Sequence, residues 1–188
     1  MAAALEAGAD YVGLVFFPPS PRHVEIAMAR ELAMMASGSA DVVALVVDPD
    51  AALVGRIAAE LGPDFIQLHG QETPERVFAV GEMAATQTIK AVTVSDHADA
   101  QRALDFEAAA DLILFDAKPP KDAVLPGGNG LAFDWSALSE VAGQVDFMLS
   151  GGLHPANVAE AILVTGARAV DVSSGVETAP GVKDPALI

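Results

Sequence analysis

Short apolar segments alternate with longer helix-favouring segments along this chain. Runs rich in Val, Ile, Leu and Phe have the length and composition of β-strands. They lie at residues 11–16, 42–47, 65–68, 88–92, 112–115, 147–149 and 169–172. Between them the pattern predicts helices at residues 26–36, 51–61, 74–83, 98–106, 136–141 and 155–165. Before the first strand we expect an alanine-rich helix capped by Gly8.

The regular alternation of strand and helix predicts an α/β fold with a parallel sheet. The strands are almost continuously apolar, which is typical of strands covered on both faces. Two architectures fit, an open doubly wound sheet and a closed (β/α)8 barrel, and an open sheet normally places its phosphate turn after the first strand. Here the glycine-rich turns follow the last two strands, which favours the barrel. No linker divides the chain, so we predict one barrel domain over residues 1–188.

Those last two strands end in turns rich in glycine and serine. The first turn contains Gly151 and Gly152, and the second contains Ser173, Ser174 and Gly175. Small residues leave backbone N–H groups accessible, so paired turns of this kind can hold a phosphate. Barrels of this type use the turns after strands seven and eight for that purpose. We therefore expect a phosphorylated small molecule as ligand, the alternative being two tight connections without a ligand.

The helix expected after the first of these turns begins with a recognisable signal. Pro155 would occupy its first position and His154 would serve as its N-cap. The N–H groups of Gly151 and Gly152 would then lie at the start of that helix. If the two turns follow strands seven and eight, the visible strands are two to eight. We accordingly expect an incomplete barrel, without the first strand and with most of the last helix missing.

Composition narrows the range of partners. The chain has 26 acidic and 10 basic residues, a net charge of −16, which argues against nucleic-acid binding. It contains no cysteine, which excludes disulfides, thiolate metal sites and a cysteine nucleophile within these residues. The histidines lack metal-ligand spacing, and no cofactor is expected. No basic leader or membrane-length apolar run is visible, so we expect a cytoplasmic protein without a membrane partner.

Nine short motifs then occur in one order across nearly the whole chain. They are GLVFFP at 13–18, SPR at 20–22, QLHG at 67–70, IKA at 89–91, LFDAK at 114–118, GGNG at 127–130, FDW at 133–135, LSGGL at 149–153 and DVSSGVE at 171–177. Together they resemble the phosphoribosylanthranilate isomerases of tryptophan biosynthesis. The resemblance implies a (β/α)8 barrel without a cofactor. It also implies an Amadori rearrangement of N-(5-phosphoribosyl)anthranilate to 1-(2-carboxyphenylamino)-1-deoxyribulose 5-phosphate.

The resemblance also implies roles for particular residues. Such a rearrangement needs an acid to protonate the furanose oxygen and a base to remove the C2 proton, and no metal. Asp116 matches the family's acid, Arg22 its ligand for the anthranilate carboxylate, and His69 a residue beside the anthranilate ring. The loop containing Gly128, Asn129 and Gly130 matches a lid over the sugar phosphate. Lys118 remains open between a surface charge and a lid contact, and Asp171 between orienting its loop and touching the substrate.

The family's base is a cysteine at the end of the first strand, and this sequence has no cysteine. We expect the base upstream of Met1, so that the chain as given is inactive alone. One alternative is a catalytically incompetent phosphosugar-binding barrel. Another is a related isomerase of histidine biosynthesis, which uses two aspartates and two phosphate sites, although no second glycine-rich cradle appears in the first half. The sequence leaves the choice between monomer and homodimer open.

Overall fold

A computed structural model of the chain describes residues 1–119, 127–128 and 130–188. Its helices are α1 (Ala2–Glu6), α2 (Ile26–Ala36), α3 (Ala51–Glu60), α4 (Pro74–Ala84), α5 (His97–Gln101) and α6 (Val158–Thr165). The strands are β1 (Tyr11–Val15), β2 (Asp41–Val46), β3 (Phe65–Leu68), β4 (Gln87–Val94), β5 (Leu112–Ala117), β6 (Phe147–Leu149), β7 (Ala169–Val170), β8 (Glu177–Ala179) and β9 (Val182–Lys183). Short 3-10 helices lie at Arg102–Phe106, Trp135–Leu138 and Ser174–Val176.

Strands β1 to β7 follow one another in chain order in a single sheet. The pairs β1–β2, β2–β3, β5–β6 and β6–β7 are parallel. The prediction of a parallel α/β fold with these seven strands is therefore confirmed. None of the helices in the described part of the chain is long and apolar enough to cross a membrane. The chain divides into two compact units, Met1–Ile89 with Ile188, and Lys90–Leu187, which are described in turn.

In the first unit the core lies between β2, β3 and the helices that follow them. Every residue of β3 is buried, and in β2 every residue except Asp41 and Leu45 is buried. From α3 and α4 the core receives Val54, Ile57, Val77 and Val80, all fully buried. Burial of such side chains stabilises the unit by about 1.5–3 kcal/mol each.

Strand β1 departs from the expectation that both faces of each strand are covered. Val12 and Leu14 are buried, whereas Tyr11 and Gly13 are exposed. The alternation arises because β1 is the first strand in the sheet order, where fewer neighbouring elements cover a strand than in the middle of the sheet.

In the second unit the core is built on β5 and β6. Leu114, Phe115 and Leu149 are completely buried, and the rings of Phe115 and Phe147 pack edge to face at 5.4 Å. Aromatic pairs in this geometry contribute about 0.5–1.5 kcal/mol beyond area burial. The candidate site residues of this unit begin at the carboxyl ends of β5 and β6.

Three predicted helices of this unit were partly wrong. The segment 98–106 consists of α5 and a 3-10 helix, and 136–141 contains only the 3-10 helix Trp135–Leu138. Helix α6 begins at Val158 rather than at Pro155, and its N-cap is Asn157.

The late start of α6 has a local cause. Asn157 closes a separate turn first: its Oδ1 accepts from His154 N at 2.8 Å, and its Nδ2 donates to Gly152 O at 3.0 Å. His154 Nδ1 accepts from Ala156 N at 3.2 Å, so His154 caps this turn and not the helix.

Candidate active site

Asp116 lies within β5, one residue before its end, and is 3% exposed. Its Oδ1 accepts a hydrogen bond from Ala117 N at 2.9 Å. Gly151, in the turn after β6, has φ +88°, and a Cβ there would lie 3.0 Å from Asp116 Oδ1 and 2.5 Å from Ala117 N. Only glycine combines this backbone conformation with so close an approach. The LSGGL motif therefore brings a glycine backbone against the carboxyl group of the LFDAK motif.

The two glycine-rich turns are in contact with each other. A Cβ on Gly175 would overlap the carbonyl oxygen of Leu153, so the backbone of the second turn lies directly on the first. Gly152 has φ +63°, and a Cβ there would clash with both Leu131 C and Ala132 N, so its backbone packs against that peptide. The paired turns predicted from sequence are thus adjacent.

The position of the first turn's N–H groups differs from the expectation. Gly151 and Gly152 do not lie at a helix start, because α6 begins six residues after Gly152, at Val158. The side chain of Asn157 holds the intervening turn instead. Any anion held here would therefore bind to N–H groups of a turn, without a helix N-terminus directly behind them.

The described part of the predicted lid lies beside the second turn. A Cβ on Gly130 would be 3.6 Å from the hydroxyl oxygen of Ser174. Gly128 and Gly130 both have positive φ, at +70°. Asn129 lies outside the described residues.

Ser150 and Asp171 tie the ends of three strands together, a feature that the motifs alone did not reveal. Ser150 N donates to Phe115 O at 2.7 Å, and Asp171 N donates to Leu149 O at 2.8 Å. Ser150 Oγ donates to Asp171 Oδ2 at 3.0 Å. These bonds hold Asp171 at the edge of the sheet where Asp116 lies.

Lys118, two residues beyond Asp116, binds the carboxylate of Asp99. Its Nζ lies 2.9 Å and 3.2 Å from the two Asp99 oxygens, and Ser95 Oγ donates to Oδ2 at 2.6 Å. Burial acts to raise the pKa of Asp99, but the hydrogen bonds from Ser95 and Lys118 outweigh it and hold the pKa below its ordinary value. Lys118 therefore has a structural partner, which sequence reasoning had left open.

In the first unit, the structure describes Arg22 and His69 separately from these turns. Arg22 is partly buried in the loop after β1, and its backbone N donates to Ser20 Oγ at 3.2 Å. His69 is buried just after β3, and Gln67 Nε2 lies 3.0 Å from its Nδ1. With the Gln67 amide as donor, Nδ1 accepts and the ring hydrogen lies on Nε2.

The turn after His69 is held by a buried carboxylate that sequence reasoning missed. Glu72 is 6% exposed and accepts hydrogen bonds from Gly70 N and from Asp48 N, at 2.9–3.1 Å. Asp48 in turn accepts from Gln71 N at 2.7 Å. These bonds connect the turns after β2 and β3 and fix the backbone next to His69.

Among the described ranges of the chain, no group of three or more His, Cys, Asp and Glu residues is arranged to hold a metal ion. The geometry offers backbone donors, hydroxyls and a buried carboxyl group. Such groups can bind an anion and transfer a proton.

Comparison with known proteins gives a consistent result. The family described as N-(5'phosphoribosyl)anthranilate (PRA) isomerase matches residues 1–188. The N-(5'-phosphoribosyl)anthranilate isomerase of Paramagnetospirillum magneticum is 55% identical over 184 residues, which are 98% of this chain and 86% of that protein. The enzyme of the same name from Rhodospirillum centenum is 54% identical, over 100% of this chain and 88% of its own length.

Solved structures agree with the sequence comparison. The crystal structure of phosphoribosyl anthranilate isomerase from Thermotoga maritima superposes with a TM-score of 0.88 at 36% identity, covering 99% of this chain and 87% of that one. A second structure of such an isomerase, in complex with reduced 1-(o-carboxyphenylamino)-1-deoxyribulose 5-phosphate, has a TM-score of 0.85 at 34% identity and the same coverage. The fold is TIM-barrel-like, and the chain belongs to the N-(5'-phosphoribosyl)anthranilate isomerase family.

Proposed function

We propose that this chain carries the acid and the phosphate site of an isomerase of tryptophan biosynthesis. The reaction converts N-(5-phosphoribosyl)anthranilate to 1-(2-carboxyphenylamino)-1-deoxyribulose 5-phosphate. The observation that carries the proposal is the cluster formed by Asp116, Gly151, Leu153 and Gly175, in which a buried carboxyl group adjoins two touching glycine turns. Family membership supports it, as does the solved relative that holds the reduced deoxyribulose phosphate compound.

In the proposed mechanism Asp116 is the general acid. It donates its proton to the furanose ring oxygen as the bond from that oxygen to C1 breaks, leaving an iminium between C1 and the anthranilate nitrogen. A base then removes the proton from C2, and the electron pair forms the enolamine. Tautomerisation to the C2 ketone completes an isomerisation that consumes no co-reactant. Burial of Asp116 supports this role because bulk water is kept away from the carboxyl group.

The base in this proposal is a cysteine upstream of Met1, on the first strand of a (β/α)8 barrel of which β1 to β7 are strands two to eight. The proposal follows from the family's chemistry and from the absence of cysteine in the 188 residues. On this account the chain as given binds the substrate but does not turn it over.

The phosphate is proposed to bind to the N–H groups and hydroxyls of Gly151, Gly152, Ser173, Ser174 and Gly175. A chain with a net charge of −16 repels a dianion, so binding must come from donors at short range. The contact between the two turns supports this assignment because it lets both contribute donors to one ligand. The loop of Gly128, Asn129 and Gly130 is proposed as the lid.

We propose that the anthranilate moiety interacts with Arg22 and His69, the candidate residues of the first unit. A guanidinium such as Arg22 suits a carboxylate because its planar fork donates two parallel hydrogen bonds. His69 is proposed to lie beside the anthranilate ring, with Gln67 setting its tautomer.

A turnover assay that follows anthranilate-adduct fluorescence tests this proposal. It compares this chain with a protein translated from the reading frame extended upstream. We expect turnover by the longer protein, and binding of the reduced deoxyribulose phosphate compound by both. Full turnover by this chain alone would place the base within it, and failure of both proteins to bind would overturn the proposal.

The second candidate function is a non-catalytic phosphosugar-binding barrel, and the absence of cysteine is the observation that favours it. Binding without turnover by the longer protein would establish it. The third candidate, an isomerase of the histidine-pathway type, predicts turnover of that pathway's phosphoribosyl aminoaldose, which the same pair of proteins can be assayed for.

A further inference from the structure

A small hairpin follows directly after the second glycine-serine turn, and the sequence reasoning did not foresee it. Strands β8 and β9 pair antiparallel, with Glu177 opposite Lys183 and Ala179 opposite Val182. The connecting residues are Pro180 and Gly181, and Gly181 has φ +83°. Pro followed by a glycine at positive φ is the pattern of a type II turn. The register shifts between Ala179 and Glu177, and this irregularity brings Lys183 opposite Glu177.

The ammonium group of Lys183 lies within reach of three oxygen atoms. Its Nζ is 2.8 Å from Ser173 O, 2.9 Å from Glu177 Oε1 and 3.3 Å from Ser173 Oγ. A lysine ammonium has three N–H donors, and these three acceptors match them. Lys183 is therefore placed to act on a ligand through Ser173 rather than by direct contact.

The carboxylate of Glu177 is the reason why a cation is needed next to the second glycine-serine turn. Its side chain is 3% exposed, whereas that of Lys183 is 42% exposed. Its backbone N–H donates to Ser174 O, so the buried carboxylate directly follows the turn proposed to bind phosphate. A buried carboxylate is costly without a paired charge, and an unneutralised one would repel a nearby dianion.

We propose that Lys183 is a positioning residue for the phosphate turn. It holds the backbone carbonyl and hydroxyl of Ser173, and it neutralises Glu177, so that the turn can accept a dianion in an acidic protein. The inference rests on the proposed function, in which residues 173–175 bind the substrate phosphate. No such role follows from the DVSSGVE motif alone, because Lys183 lies beyond it.

The test measures inorganic phosphate binding by calorimetry, together with steady-state kinetics in the longer, active protein. For Lys183→Met we expect the dissociation constant for inorganic phosphate and the KM to rise about tenfold, as loss of a charged hydrogen bond implies, while kcat stays within about twofold. Adding Glu177→Gln to Lys183→Met should recover most of the lost affinity, because the negative charge next to the phosphate turn is gone. Arg56→Met, which removes an exposed cation of the i,i+4 pair with Glu60, is the matched control and should change neither constant.

The outcomes separate this inference from the function it depends on. Unchanged phosphate binding in Lys183→Met, or a double variant as weak as the single one, would overturn the role of Lys183. If the unmodified protein binds no inorganic phosphate and Ser173→Ala leaves KM unchanged, the phosphate assignment itself fails. Should Lys183→Met not fold, Lys183→Gln keeps a donor for Ser173 and is expected to show a smaller loss, again relieved by Glu177→Gln.

Discussion

The backbone of Gly175 lies directly on the carbonyl group of Leu153. A Cβ at Gly175 would overlap Leu153 O and approach His154 Cα to 3.0 Å. The turns after β6 and β7 therefore pack directly against each other, and this contact is possible only because residue 175 has no side chain. This contact is the structural basis of the proposed phosphate site.

Gly175→Ala should disturb both stability and phosphate binding. The added methyl group must push the two turns apart, and forced overpacking of this kind costs about 1–3 kcal/mol of unfolding free energy. Denaturant unfolding and the dissociation constant for inorganic phosphate measure the two effects. Gly143→Ala is the matched control, since a Cβ at Gly143 meets nothing within 4 Å. Equal phosphate affinity in both variants would contradict the assignment of this turn.

Arg22→Ala should raise the KM for N-(5-phosphoribosyl)anthranilate with a smaller effect on kcat. Loss of a charge-assisted hydrogen bond to a carboxylate is worth about 1.5–3 kcal/mol, or about tenfold or more in KM. Steady-state kinetics in the longer protein measure this. Arg30→Ala, an exposed arginine on α2, is the control for the change in charge. An unchanged KM in Arg22→Ala would remove Arg22 from carboxylate recognition.

Asp99→Asn should destabilise the second unit in a pH-dependent way. The pKa of Asp99 lies below its ordinary value of 3.8, so its interactions with Ser95 and Lys118 stabilise the fold fully above that pH. The stabilisation is lost as the pH falls through 3.8 toward the folded-state pKa. The Tm difference between the unmodified chain and Asp99→Asn should therefore be largest near neutrality and shrink in acid. A Tm difference that grew below pH 3.8 would contradict the predicted direction of the pH dependence. Asp105→Asn, at an exposed aspartate, is the control.

The strands of this fold could be predicted because each is a short apolar run, and all seven were confirmed. The helices of the second unit were less predictable. Asn157 binds Gly152 and His154 across a turn, and this side-chain contact delays α6 to Val158 against the proline signal. Periodicity cannot reveal such a contact because it depends on where the preceding turn lies.

The candidate site residues that belong to a motif could be predicted from the sequence. Those that matter through tertiary contacts could not. The glycines at 151 and 175 were identified from sequence, and the structure adds why a side chain is excluded at each. Glu72 and Lys183 were missed because neither lies in one of the nine motifs, and each acts through contacts that only the folded chain forms. For Lys183 one signal was available: the dipeptide Pro180-Gly181 is typical of a turn.

The most direct test of the central claim is the behaviour of Asp116→Asn in the longer protein. The substitution keeps the size of the buried side chain and removes its ability to donate an acidic proton. Turnover should fall by at least about a hundredfold, the contribution typical of a general acid. The dissociation constant for the reduced deoxyribulose phosphate compound should change by less than about threefold, a small free-energy difference. Turnover that survives the substitution would contradict the assignment of Asp116 as the acid, and with it this account of the site.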